Sequence, residues 1–228
     1  MFSNSVAFVD EFKRRSDNAE VWKHPYFRNK PTACMVKAWL MQAGPFEAQY
    51  PKYLKAMLQN PRIPRACHPV IQENLHDELG GGNANAAHFE LFKGALNAVG
   101  VSIKEYEQAR LNTSTANILD SVTAVCSGED PVAALSFITQ VELFTPPEYS
   151  RIIAWFESLF PQTRAGWEAY FTVHIGCDEH HFAEMAGALF GLVGEDPVRQ
   201  ASAFNWQNIG INLDHRFYDE LQQVVQAA

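Results

Sequence analysis

The chain has 228 residues, 47% of them hydrophobic, which is enough for one domain of ordinary size with a substantial core. Its formal net charge of −8 argues against nucleic acid and anionic membranes as partners. No apolar run reaches transmembrane length, the first residues do not resemble a signal peptide, and the four cysteines are scattered without a CxxC pair. We therefore expect one cytoplasmic domain, residues 1–228, with free thiols.

Helical periodicity extends over almost the whole chain, and strand signals are absent. We predict an all-α, single-domain helical bundle of about seven to nine helices. The predicted helices cover approximately residues 5–20, 31–59, 65–80, 84–99, 102–127, 130–144, 146–160, 163–193 and 197–226. Glycines and prolines mark the breaks, and the double proline Pro146-Pro147 is expected to end a helix just after Glu142.

The helix near residues 65–80 carries acidic and histidine side chains on two different faces. Glu78 shares a face with Ile71 and Leu75, so its carboxylate is expected to point toward the core. Glu73 and His76 lie on the opposite, more polar side. Their Glu-x-x-His spacing is typical of carboxylate-bridged ferritin-like bundles, but the chain contains no second copy of it.

Two further helices each place one polar residue on an apolar face. His88 shares its face with Phe92 in the helix near 84–99, and Glu142 shares its face with Ile138 in the helix near 130–144. A lone inward histidine is more often a hydrogen-bonded core residue than a ligand, and a lone carboxylate can pair with an arginine. Neither residue by itself therefore indicates a metal site.

The helix near 163–193 contains the most informative motif, His174-x3-Asp178-x2-His181. Because an α-helix turns about 100° per residue, Asp178 and His181 each fall within roughly 40° of His174, and all three side chains lie within an arc of about 60°. The same face carries the core-type residues Trp167, Tyr170, Met185 and Leu189. Two imidazoles and a carboxylate on one inward face can converge on a metal ion. His180 lies about 120° from His174 and is not part of this set.

These residues together form a candidate site of three carboxylates and three histidines. Its predicted metal ligands are Glu78, His88, Glu142, His174, Asp178 and His181. Three buried anions close together would strongly destabilise the fold without positive charge, and two divalent metal ions would supply that charge and be largely neutralised by the three carboxylates. Mixed histidine and carboxylate ligation suits non-haem iron, with manganese as the competitor. We predict two Fe(II) ions and no catalytic residue beyond the ligands. Large aromatic residues such as Trp39 are assigned to the core.

The order of these motifs resembles that of the haem-oxygenase-like diiron oxidases and oxygenases. Those enzymes are similar in fold to thiaminase II and to the pyrroloquinoline-quinone synthase proteins. The resemblance extends from about Tyr26 to Phe217, and it rests on Glu78, His88, Glu142 before a double proline, and the His174-x3-Asp178-x2-His181 motif. Some members add a carboxylate from the first core helix. Glu47 is a candidate for that position, and we leave it outside the predicted set.

The resemblance implies an O₂-dependent enzyme in a biosynthetic pathway, with O₂ as co-substrate at an Fe(II) pair. Such an enzyme oxidises or fragments a small metabolite, by N-oxygenation or by C–C bond cleavage. The expected substrate is an amino acid or a carboxylic acid, an external electron donor is compatible with this chemistry, and a homodimer is expected. No nucleic acid or membrane partner is expected.

Three alternatives stay open at this stage. A metal-free enzyme like thiaminase II or the quinone synthase would lack the complete ligand set. A ferritin-like iron protein would bind iron through Glu73 and His76. A non-enzymatic helical module would contain the same polar residues without a metal. Iron content separates these cases, because about two irons per chain agrees only with the oxidase or the ferritin-like protein.

Overall fold

The computed structural model describes residues 2–227, and over that range the protein contains α-helices and short 3₁₀ turns but no strand. The ten helices are α1 (Ser5–Asp17), α2 (Pro25–Arg28), α3 (Ala33–Gln59), α4 (His68–Glu78), α5 (His88–Ala98), α6 (Ile103–Glu107), α7 (Thr113–Ser127), α8 (Pro131–Leu159), α9 (Arg164–Val193) and α10 (Pro197–Ala227). The all-α prediction is confirmed, and eight of these helices have seven residues or more. None of the helices described here is both long and apolar enough to cross a membrane.

Two predicted boundaries are wrong, one because of a local helix cap and one because of tertiary packing. The range 102–127 contains two helices, because Asn112 ends the interruption after α6 by accepting a hydrogen bond from the Thr115 amide at 2.7 Å and capping α7. The ranges 130–144 and 146–160 form one helix, α8, which continues through Pro146-Pro147. α8 is buried on both sides of the double proline and packs along α9, so tertiary packing compensates for the backbone hydrogen bonds that the prolines remove.

Proline also follows an acidic residue at an interval of four in two long helices. Pro51 follows Glu47 in α3, and Pro146 follows Glu142 in α8. A helical carbonyl accepts its hydrogen bond from the amide four residues later, and proline has no amide hydrogen. The carbonyls of Glu47 and Glu142 therefore lack their helical donors.

The core consists of two hydrophobic clusters, and the long helices α3, α8, α9 and α10 run from one to the other. In α3, Leu40 belongs to one cluster and Leu54 to the other; in α9, Phe171 and Phe182 divide in the same way. Glu47 lies between the first two, and the His174-to-His181 motif lies between the second two. The midpoints of α3, α8 and α9 are therefore buried between two apolar clusters, and polar side chains there are removed from bulk water.

The crossing of α5 over α9 depends on close backbone approach at Gly94. A Cβ atom at this position would lie 2.5 Å from the carbonyl oxygen of Gly166. We expect Gly94→Ala to force the helices apart and to lower the free energy of unfolding by about 1–3 kcal/mol. Urea unfolding measures the change. Gly187→Ala in α9 is the matched control, because a Cβ there meets nothing within 4 Å. A variant Gly94→Ala as stable as this control would show that the crossing tolerates a methyl group.

Candidate metal centre

All six predicted ligands are buried, and the structure brings them into two groups. The four-residue group consists of Glu47, Glu78, His88 and His174, and the three-residue group consists of Glu142, Asp178 and His181. Within each group, one ligand-type atom from every residue lies within 4.8 Å of the others. Five helices contribute, and α9 supplies residues to both groups. Glu73 and His76 are exposed on α4 and belong to neither group, so the structure does not support a ferritin-like site at that spacing.

A glycine loop brings Glu78 and His88 together. Glu78 is the last residue of α4 and His88 the first of α5, and the Glu78 Oε1 to His88 Nδ1 distance is 3.0 Å. The loop between Glu78 and His88 contains Gly80, Gly81 and Gly82, and all three have positive φ angles. At Gly80 a Cβ would also lie 2.2 Å from the carbonyl oxygen of Asn83. Only glycine therefore allows the tight reversal that sets these two side chains face to face.

Glu47 belongs to the four-residue group but lies outside the predicted ligand set. Its side chain is buried in α3, with Oε1 3.4 Å from His174 Nε2, and its Oε2 accepts a hydrogen bond from the Tyr170 hydroxyl at 3.1 Å. A signal was present in the sequence. Glu47 lies seven residues from both Leu40 and Leu54, two full helical turns in each direction, which places all three on one face.

The three-residue group is organised around Glu142. Its Oε1 accepts hydrogen bonds from the amide of Asn74, at 2.5 Å, and from the Tyr50 hydroxyl. Its Oε2 lies 3.6 Å from His181 Nδ1, which is 3.9 Å from Asp178 Oδ1. Two donors thus hold one carboxylate oxygen of Glu142, and the other faces the histidine. This role of Tyr50 and Asn74 cannot be predicted from the sequence, because their contacts cross between helices.

His174 and His181 are each oriented by a hydrogen bond from the ring nitrogen that faces away from the carboxylates of the two ligand groups. His174 Nδ1 donates to the carbonyl of Tyr170 at 2.8 Å, and His181 Nε2 donates to Asp77 at 3.0 Å. These bonds select the tautomers that leave an electron pair on His174 Nε2 and on His181 Nδ1. A metal-ligating histidine requires such a free nitrogen and such an outer partner.

Several buried polar atoms in the two groups have no hydrogen-bond partner in the described residues. They are Glu47 Oε1, His88 Nδ1, His88 Nε2 and His181 Nδ1. A buried polar group without a partner costs about 1–3 kcal/mol, which a metal ion at the same place would offset. Four carboxylates across the two groups also match the charge of two divalent cations, and mixed nitrogen and oxygen donors suit iron or manganese. These residues therefore fit the two metal ions that the sequence predicted.

The pKa values of these groups show how burial and charge compete. Burial, with repulsion from Glu47, raises the pKa of Glu78 well above its ordinary value, and burial with repulsion from Glu142 does the same for Asp178. Burial lowers the pKa of His88 to about 4. Burial also opposes charge on His174 and His181, yet neighbouring carboxylates raise both pKa values to about 9. Without cations, the site therefore retains protons that bound metal would displace.

A pocket opens onto both groups from one side. Its walls include Glu47, Glu78 and His174 from the four-residue group, and Glu142 and Asp178 from the three-residue group. Its empty volume, counted with the open mouth, is about 960 Å³, which is suited to a small molecule. Trp39 lies in the core as predicted and also forms part of this wall. A small molecule bound in the pocket would lie directly beside the metal-ligating residues.

We expect Asp77→Ala to weaken metal binding at the three-residue group by about 10- to 100-fold, because His181 would lose the acceptor that orients its ring. Asp77→Asn should lose less, since the amide oxygen can still accept the Nε2 proton. Calorimetric titration of metal-free protein with Mn(II) measures the affinity. Glu73→Gln is the control, because Glu73 is an exposed carboxylate on the same helix. Equal affinity in Asp77→Ala and this control would show that Asp77 does not orient His181.

Comparison with known proteins places these features in a wider group. A family model described as iron-containing redox enzyme matches residues 37–213, a range that includes all seven grouped residues. No curated protein sequence matches the chain.

Three solved structures of bacterial proteins are similar in fold. A TenA homolog from Pseudomonas syringae pv. tomato is 16% identical, with 96% of this chain and 91% of that chain covered and a TM-score of 0.75. A CADD-like protein of unknown function from Nostoc punctiforme is 14% identical, with 96% and 97% covered and a TM-score of 0.78. A domain of unknown function with a heme oxygenase-like fold from Shewanella denitrificans is 14% identical, with 96% and 90% covered and a TM-score of 0.73. At these identities the likeness concerns the fold alone, and it confirms the predicted haem-oxygenase-like bundle.

Proposed function

Since this chain belongs to the family of iron-containing redox enzymes, we propose that it is a non-haem diiron enzyme that uses O₂ to oxidise or fragment a small metabolite. The observation that carries the proposal is the pair of buried ligand groups facing a single pocket. The substrate classes that the resemblance suggests are amino acids and carboxylic acids. An iron pair bound here would supply the electrons and the open coordination positions that O₂ reduction needs.

Under this proposal, each group holds one metal ion, and the surrounding residues hold the ligands in place. Tyr50 and Asn74 orient Glu142, Tyr170 orients Glu47, and Asp77 orients His181. The two apolar clusters on either side keep bulk water away from the ligands. Exclusion of water strengthens the electrostatic interactions within the site and protects reactive species from side reactions.

A chain of two tyrosines connects the pocket with Glu47. Tyr149 lies in the pocket wall, and its hydroxyl is 2.5 Å from that of Tyr170, which in turn donates to Glu47 Oε2. Both rings are buried, and burial raises both phenol pKa values well above the ordinary value, so the hydroxyls stay protonated. Under the proposal these hydroxyls provide a path for a proton between a bound substrate and a metal-ligating carboxylate.

The decisive experiment is anaerobic loading with Fe(II), followed by iron analysis and exposure to O₂. We expect about two irons per chain, and O₂ uptake that increases when the true substrate is added. Candidate amino acids and carboxylic acids can be screened by mass spectrometry of the products. Protein that binds no iron under these conditions would favour a metal-free enzyme instead, and iron uptake without O₂ consumption for any substrate would favour a storage role.

A further inference from the structure

Two acidic side chains lie in the pocket but in neither ligand group. They are Glu148 in α8 and Asp214 in α10, and both are half-buried. Glu148 follows Glu142 by six residues, so the two positions are separated by about 9 Å along the helix axis. The pocket therefore has a metal-facing end and a second acidic end. Apolar side chains such as Phe46, Ile118 and Leu213 belong to the same walls.

Neither of these two carboxylates forms an ion pair with a cation of the described residues. The pocket wall contains no lysine or arginine, and neither Glu148 nor Asp214 forms an ion pair within residues 2–227. Arg151 is the cation that acts on Glu148, but its guanidinium donates to the Pro147 carbonyl at 2.6 Å. It also stacks on Trp22, 4.5 Å from the ring centroid, outside the pocket. The acidic end is thus open to a positive charge from a ligand.

Glu148 is also held in a defined orientation. Its Oε1 accepts hydrogen bonds from the indole of Trp39, at 3.2 Å, and from the Tyr218 hydroxyl. Its Oε2 accepts none in the described residues. Burial raises the pKa of Glu148 to about 7, and burial together with the charge of Glu148 raises that of Asp214. A cation placed between them would relieve this repulsion, and Trp39 and Tyr149 of the same wall are aromatic residues, a side-chain class that attracts cations.

We propose that the pocket selects a substrate with a cationic amine, which Glu148 and Asp214 bind while the apolar body extends toward the ligand groups. The substrate class is therefore an amine or an amino acid with a positively charged end, rather than a simple carboxylic acid. The part of this inference that concerns the reacting end rests on the proposed function, whereas binding of the amine at the acidic end does not depend on iron chemistry.

The test compares three probes of equal chain length, n-hexylamine, hexan-1-ol and hexanoate, by calorimetry on protein loaded with Mn(II). Bound metal neutralises the ligand carboxylates, and at about pH 8, above the pKa of about 7 of Glu148, the acidic end is the remaining anionic surface of the pocket. We expect n-hexylamine to bind about tenfold or more tightly than hexan-1-ol, and also more tightly than hexanoate. This comparison uses the unmodified protein and does not depend on the folding of a variant.

The assignment to particular residues comes from Glu148→Gln and Asp214→Asn, each expected to lose about tenfold or more in amine affinity with little change for hexan-1-ol. Glu157→Gln is the matched control, since Glu157 is an exposed carboxylate of α8 outside the pocket. Equal binding of amine and alcohol, tighter binding of hexanoate, no binding of any probe, or variants that behave like this control would overturn the inference.

Metal content measured on the same samples separates this inference from the proposed function. Two metal ions per chain without amine preference would reject the cationic substrate and leave the diiron proposal standing. Amine preference in protein that takes up no metal would reject the diiron proposal and leave the amine site standing.

Discussion

Glu78→Ala is expected to lose iron from the four-residue group and to abolish O₂-dependent turnover. Glu78 is 4% exposed, and its carboxylate faces His88 at 3.0 Å. The variant would leave this group with a single carboxylate, Glu47, and an imidazole without its anionic neighbour. We expect iron affinity at this group to fall by more than about 100-fold, beyond the range typical of outer hydrogen-bond partners. Anaerobic iron titration with parallel O₂-uptake measurements tests this expectation.

Glu73→Ala is the matched control on the same helix. Glu73 is exposed and lies 3.3 Å from the exposed side chain of His180. Surface pairs of this kind contribute little, so the free energy of unfolding should change by no more than about 0.5 kcal/mol and iron binding should stay intact. Loss of iron in Glu73→Ala with retention in Glu78→Ala would reverse the assigned faces of α4.

Removal of the metal is expected to make stability fall as pH rises from 6.5 to 9. Glu78 and Asp178 have pKa values well above their ordinary 4.5 and 3.8. A raised pKa means that the folded, metal-free protein holds these protons more tightly than the unfolded chain does, so higher pH favours unfolding. The pKa values of His174 and His181 are raised from 6.5 to about 9, and the stability that these charges contribute is lost over the same interval. All four groups therefore act in one direction in this window.

Below pH 6.5 the dependence of stability on pH is mixed, because the pKa of His88 is lowered to about 4. Between pH 4 and 6.5 this residue makes stability rise with pH, while the raised carboxyl pKa values make it fall. Thermal unfolding of chelated and Mn(II)-loaded protein at several pH values measures the effect. Bound metal should flatten the dependence, since it replaces the protons, and the difference in Tm between the two forms should grow toward pH 9. A gap between the two forms that stays constant with pH would mean that metal does not displace protons at these residues.

The helical periodicity of α9 predicts that His174, Asp178 and His181 share one inward face, and the structure shows all three buried, whatever the helix packs against. Helical periodicity also separates Glu78 from Glu73 in α4. Periodicity places Glu47 on the face of Leu40 and Leu54, but the buried face of α3 covers about half of its circumference, and periodicity alone does not distinguish a site residue from its core neighbours there. Periodicity within one helix also carries no information on contacts between helices, which is why Tyr50, Asn74 and Asp77 were not found.

Long-range packing likewise decided the points on which local rules failed. Pro146-Pro147 predicts a helix end on its own, but the burial of α8 on both sides of it outweighs the lost hydrogen bonds. Glu148 and Asp214 are ordinary surface-type residues in the sequence. Their common place in the pocket depends on how α8 and α10 approach each other, which no spacing along the chain specifies.

The prolines that follow Glu47 and Glu142 make α3 and α8 more flexible than α9 at the residues that line the site. α9 contains no proline from Arg164 to Val193, so His174, Asp178 and His181 are attached to an uninterrupted hydrogen-bonded rod. Glu47 and Glu142 lie in α3 and α8, and each helix lacks the backbone hydrogen bond that the carbonyl of that glutamate would accept. The helices bend more easily at these positions. If two bound metal ions changed their separation, the side chains on α9 should keep their positions. Glu47 and Glu142 should move with the metal ions, because their helices bend more easily at these residues.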